Sequence, residues 1–148
     1  MKTPERFNKA LKTLVQAFFN DTLAKGNCTQ CAVGNMCGGR SDWSLVFITP
    51  SHGTQRIYED WYDGNAKNVI DKTGYTWEEL ARIEFSFEKN TKINGREYDN
   101  FSKQEIMEDQ YRGLMAVVEV LCEIEGLDCT PYKEAFAYNS DLQPINSL

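Results

Sequence analysis

The stretch from Phe101 to Gly126 constrains the fold more than any other part of the chain. Ser102 followed by Glu105 is a capping box, and Phe101 and Ile106 occupy the two positions of a hydrophobic staple. At the far end Gly126 supplies a left-handed stop, with Leu127 placed to fold back on the last turn. Between these signals Ile106, Met107, Tyr111, Leu114, Met115, Val117, Val118, Leu121, Cys122 and Ile124 recur at helical spacing on a broad face. The pattern predicts a helix over 103–125, about 34 Å long, enough to cross a small domain. A helix with so wide an apolar face needs other helices to cover it.

The rest of the chain supplies them. Thr3-Pro4-Glu5 reads as a helix start, with a capping hydroxyl, proline at the first helical position and an acid in the first turn. Phe7, Leu11, Leu14, Val15, Phe18 and Leu23 then predict a helix to about Leu23, ended near Gly26 and packed on the 103–125 helix. Thr29 is placed to cap a short helix carrying Cys31, Ala32 and Met36, which Gly38-Gly39 stops. A short helix is expected from Ala66 to Lys72. Thr76 and Glu79 form a second capping box, with Tyr75 and Leu80 as its staple. Ile83, Phe85 and Phe87 alternate as a strand would, but the cap decides for a helix using Leu80, Ile83 and Phe87. Asn94-Gly95 predicts a tight turn, and Thr130-Pro131 starts a last helix through about Tyr138. Residues 43–49 are apolar and partly β-branched, too short to assign by period. The expected fold is therefore mainly α: a single domain over 1–148 of about five helices, with an irregular middle around 40–62 that has room for a short strand and a frayed tail over 139–148.

The 148 residues are enough to bury a core without staples, and a hydrophobic fraction of 41% argues for an ordered chain. The net charge is −6 and no basic run occurs, which excludes nucleic-acid phosphate as an expected partner. The acids are scattered, a solubility pattern. Met1 to Arg6 leads into a polar amphipathic stretch rather than a leader, and no window approaches the apolar length of a membrane span. The expected compartment is the cytoplasm, where the five cysteines would be free thiols or ligands.

Those cysteines carry the sharpest local motif. Cys28-x2-Cys31 is half of a common zinc site, which Cys37 and Cys122 would complete as four thiolates. A second CxxC or CxxH is missing, and Cys122 lies on an apolar helix face where a cysteine is usually a small core residue. A redox pair would want a strand before the motif. A nucleophile would be Cys31 in the first turn of its helix, with His52, the single histidine, as base and an amide such as Asn35 orienting it. The preferred reading is plain core thiols, with Cys122 packed near the Cys28–Cys31 loop. Asp71 to Tyr75 has a faint calcium-loop look that Tyr75 spoils. Glu78, Glu79, Glu84 and Glu88 read as a solvated helix face, and Trp43, Tyr58, Trp61, Tyr62, Trp77 and Phe85 as mostly core, marking a binding surface where several are exposed.

Cys28-Thr-Gln-Cys31-Ala-Val-Gly-Asn35, then Gly74-Tyr-Thr with Glu79-Leu80 and Ile83-Glu84, then Gly113-Leu114 and Val117 through Cys122, resemble a family of small uncharacterised proteins of Bacteroidetes bacteria and their phages. Members often carry the label of the F subunit of a sodium-translocating NADH–quinone reductase. That subunit has a longer cysteine gap before its two-residue gap, whereas here the order is reversed, Cys28-x2-Cys31-x5-Cys37. The resemblance implies a shared pattern at Cys28, Cys31 and Cys122 and a phage-associated setting, with no activity attached. The expected function is thus a non-catalytic accessory protein that binds a protein or a small molecule. The alternative is a metal- or thiol-dependent protein built on the Cys28–Cys31 loop.

Overall fold

In the computed structural model the described residues are 4–27, 29–39 and 69–136, and the fold they form is mainly helical. In chain order the elements are α1 (Glu5–Phe19), α2 (Ala32–Met36), α3 (Trp77–Lys89), a 3-10 helix η1 (Gly95–Asn100), α4 (Lys103–Glu125) and α5 (Thr130–Ala135). Residues 69–73 are also helical, ending at Gly74 with φ 78°. The tail over 139–148 and the 43–49 segment lie outside the described residues.

The long helix forms as its termini dictate. Ser102 Oγ accepts from the Glu105 amide at 3.1 Å while Glu105 Oε1 accepts from the Ser102 amide at 2.9 Å. At the other end Gly126 is left-handed, and the Leu127 amide reaches back to the Cys122 carbonyl at 2.8 Å. The second capping box closes likewise between Thr76 and Glu79, at 3.2 and 2.9 Å, so residues 82–88 are helical rather than extended.

α4 is the spine. It packs on α1 and most extensively on α3, with α2 wedged between α1 and α3. Phe7, Leu14, Phe18, Leu80, Ile83, Phe87, Leu114, Val118 and Leu121 are among the side chains buried where they meet. Arg6 ties the helix ends together: its guanidinium meets Glu125 in two bonds, at 2.7 and 3.2 Å, and reaches Glu79 at 3.3 Å and the Gly74 carbonyl at 2.9 Å. The same cation lies 4.5 Å from the centre of the Tyr75 ring.

Local readings are corrected at four places. α1 stops at Phe19 instead of near Leu23, because Asp21 takes a left-handed φ of 59° and the Thr22 amide bonds the Ala17 carbonyl at 2.8 Å. Pro4 is the N-cap of α1, one position outside the helix, and makes no side-chain cap bond. Thr29 does not cap α2: its hydroxyl donates to Asn27 Oδ1 at 2.7 Å, and the cap is the Cys31 thiol. Asn94 opens a 3-10 helix rather than a simple turn, capping the Arg96 amide with its own side chain.

α3 and α4 cross closely at Gly113, where a Cβ would fall 2.4 Å from Thr91 Cγ2 and 2.9 Å from Phe87 Cδ1. In Gly113→Ala the crowding should outweigh the helix-propensity gain of about 1 kcal/mol, for a net destabilisation of about 1–3 kcal/mol. Urea unfolding measures it, and a variant as stable as the parent would show that the crossing opens freely.

Candidate functional site

Besides the Arg6 cluster, two places among the described residues gather polar chemistry, one inside the core and one at the surface. The inner one is at the start of α2. Cys31 Sγ accepts from the Gly34 amide at 3.3 Å, and Glu84 of α3 extends its carboxylate to the Val33 amide at 3.0 Å. Two first-turn amides of α2, which no helical carbonyl serves, are satisfied by a thiol and by a carboxyl from another helix. Cys31 is 2% exposed and Glu84 0%. The expectation that Glu84 lies on a solvated face is therefore corrected. It stands four residues after Leu80 and three before Phe87, on the stripe that faces the core, while Phe85 turns outward and is 47% exposed. Burial pushes the Glu84 carboxyl up to about 8; the Val33 amide and the Cys31 thiol favour the anion, and nearby Glu88 opposes it. Its Oε2 has no hydrogen-bond partner among the described residues.

The remaining candidates among the described residues serve the packing around them, and Cys31, Cys37 and Cys122 share one buried core cluster. Asn35 spends its amide nitrogen on three backbone carbonyls, of Thr22 (2.9 Å), Gln30 (2.9 Å) and Cys31 (3.1 Å), so it stitches the 22–31 loop onto α2. Cys37 is buried after α2, and Cys122 is buried on α4, where burial raises its thiol to about 11, with nearby Cys129, Asp128 and Glu119 acting in the same direction. Among the described residues no group of three or more His, Cys, Asp or Glu is arranged to hold a metal ion. Cys28 and His52 lie outside the described residues, as do Trp43, Tyr58, Trp61 and Tyr62. Trp77 is in the core.

The surface place is a cleft of about 500 Å³ where the loop after α1 meets η1, lined by Asp21, Lys25, Asn27, Gln30, Arg96 and Tyr98 with Ala24, Gly26 and Gly95 between them. Backbone holds its two sides together. Lys25 and Asn94 form an isolated parallel bridge, and the Gly95 amide donates to the Lys25 carbonyl at 2.9 Å. Gly26, at φ 83°, leaves room for the Asn94 side chain, which a Cβ would meet at 2.3 Å. Behind the cleft two buried polar residues of α4 support it. Asp109 accepts the Lys92 and Ile93 amides at 2.8 and 2.9 Å, and Gln110 donates to the Tyr98 hydroxyl at 2.9 Å. Lys25 Nζ donates to the Glu88 and Thr91 carbonyls at 3.1 and 2.7 Å, closing the C-terminal end of α3.

The sequence pattern marks Gly26 and Gly95 only as a helix stop and a turn, and Gln30 only within the cysteine segment; it singles out no cleft residue as a functional candidate. The signals present were polar residues at core positions, Glu84, Asp109 and Gln110, where the heptad-like spacing of α3 and α4 calls for apolar ones. No family model, curated protein or solved structure matches the chain.

Glu84 binds its proton more tightly in the fold than in the unfolded chain, so stability should fall as pH rises from about 5 to 8, by at most about 1.4 kcal/mol per unit. Cys122, raised to about 11, titrates outside that window. Glu84→Gln keeps an acceptor for Val33 and carries no proton to lose. Its urea midpoint should stay flatter than the parent's across this range, and identical slopes would show that Glu84 is not the group responsible.

Proposed function

We propose that the protein is a non-catalytic accessory protein of phage or prophage origin that binds a small polar molecule in the cleft between residues 21–30 and 95–98. The phage association rests on the resemblance carried by the Cys28–Asn35, Gly74–Glu84 and Gly113–Cys122 segments. The binding function rests on the cleft. Its volume of about 500 Å³ lies within the span of small-molecule sites, and its walls converge several side-chain donors and acceptors on one space. Among the described residues its polar lining is Asp21, Lys25, Asn27, Gln30, Arg96 and Tyr98, a set suited to recognition by charge and hydrogen bonding.

A second reading, a thiol-dependent protein using Cys31, draws support from the buried carboxyl of Glu84 beside that thiol. Against it, Cys31 is 2% exposed and already serves as a cap.

A thermal-shift screen of polar metabolites, followed by amide-resolved NMR on the full chain, tests the choice. Bound ligands should perturb the amides of 21–30 and 94–98, and Gln30→Trp, which fills the cleft, should weaken them at least tenfold. Turnover of nucleotide, peptide or acyl substrates that disappears in Cys31→Ser would replace this function with the thiol one. Stoichiometric zinc in untagged protein, lost in Cys28→Ser, would replace it with the metal one.

A further inference from the structure

We propose that the cleft selects small zwitterions, α-amino acids or dipeptides, with the ligand's carboxylate at Arg96 and its ammonium at Asp21; this rests on the cleft being the binding site. The lining carries three charged side chains, and their existing bonds sort them. Lys25 is committed, its ammonium held by the two carbonyls at the end of α3. Arg96 makes one long bond, from Nε to Asn94 Oδ1 at 3.4 Å, and no carboxylate among the described residues pairs with it. Its terminal nitrogens therefore remain available for a carboxylate, which the guanidinium fork matches in two parallel bonds. Asp21 receives only a 3.5 Å contact from Gln110 Nε2, and no cation among the described residues pairs with it.

The cleft thus presents one acid and one base, each without an ionic partner among the described residues, on backbone segments tied to each other. The Lys25–Asn94 bridge and the Gly95 to Lys25 bond hold the 21–27 loop against η1, so the backbone carrying the two charges is already in place before a ligand arrives. A ligand with a single charge would pair with one of them and leave the other without an ionic partner. A zwitterion pairs both. The neutral groups add donors. The Tyr98 hydroxyl accepts from Gln110 and keeps its own proton to give, and Asn27, whose oxygen is taken by Thr29, keeps its NH2. A second carboxylate oxygen or a peptide carbonyl suits them.

Calorimetry and amide-resolved NMR with L-leucine, L-glutamine and the dipeptide Ala-Leu, each beside its N-acetyl and C-amide forms, make the test. At least one zwitterion should bind at the cleft amides, and either blocking group should weaken it tenfold or more. In Arg96→Gln the penalty for amidating the carboxyl should vanish, and in Asp21→Asn, which keeps a side chain tolerant of positive φ, the penalty for acetylating the amine should vanish. Blocked forms or inorganic phosphate binding the cleft as well as zwitterions would overturn this inference and leave the cleft as a binding site. Ligands from the wider metabolite screen that all map away from residues 21–30 and 94–98 would overturn both.

Discussion

The close approach of α3 and α4 at Gly113 is the constraint on which the rest of the structure hangs. Glycine in a helix interior costs about 1 kcal/mol relative to alanine, and here it lets Thr91 and Phe87 sit where a side chain would otherwise be. That proximity puts the chain leaving α3 within reach of Asp109, one turn earlier on α4, whose two oxygens take the Lys92 and Ile93 amides. With those amides pinned, Asn94 and Gly95 arrive against Lys25, and Lys25 in turn closes the end of α3. The cleft is the outer surface of this arrangement. Its geometry follows from a helix crossing about one turn away, and the loops that line it inherit their positions from α4.

Buried polar groups do much of the positioning, and each is used for a different backbone need. Asp109 satisfies amides leaving α3, with Arg112 supplying a cation at 2.7 Å. Glu84 satisfies an amide entering α2 from full burial, which favours its protonated form. Gln110 spans from the core to Tyr98 and leaves Oε1 unpartnered among the described residues. Such groups are costly when unpaired, which restricts the ways these loops can sit and gives the irregular connections one arrangement. Arg6 performs the complementary service at the opposite end of the bundle, bringing a cation to Glu125, an acid at the C-terminus of α4 where the helix dipole disfavours it.

What could be read from residues alone was what local chemistry determines. The capping boxes at Ser102 and Thr76 and the glycine stop at Gly126 act within five residues, and the structure shows each of them. The end of α1 escaped because it uses Asp21 in a conformation that glycine usually marks, so the polar run Asn20-Asp21-Thr22 was the sole signal. Glu84 escaped for a different reason. Its residue type spoke for solvent and its position for the core, and position prevailed because a backbone amide from α2 was waiting there. Phe85, assigned to the core by type, is its mirror image.

The Cys31–Asn35 half of the cysteine motif answers a local structural need. A short helix such as α2 has nearly as many unserved amides as internal bonds, so its stability hangs on what is brought to its first turn. A thiol at the N-cap and a carboxyl from α3 meet that need inside the core, where water is excluded and a weak sulfur acceptor counts for more than it would outside. Asn35 then binds the preceding loop to the same helix through three carbonyls. The Cys31–Asn35 segment thereby holds the 22–30 loop in place, and that loop forms one wall of the cleft. Its residue pattern is demanded by the wall it supports. The cleft itself brings Asp21 and Arg96 together across about half of the chain, a juxtaposition that no local spacing encodes and that arises from the packing of α1 and α3 on α4.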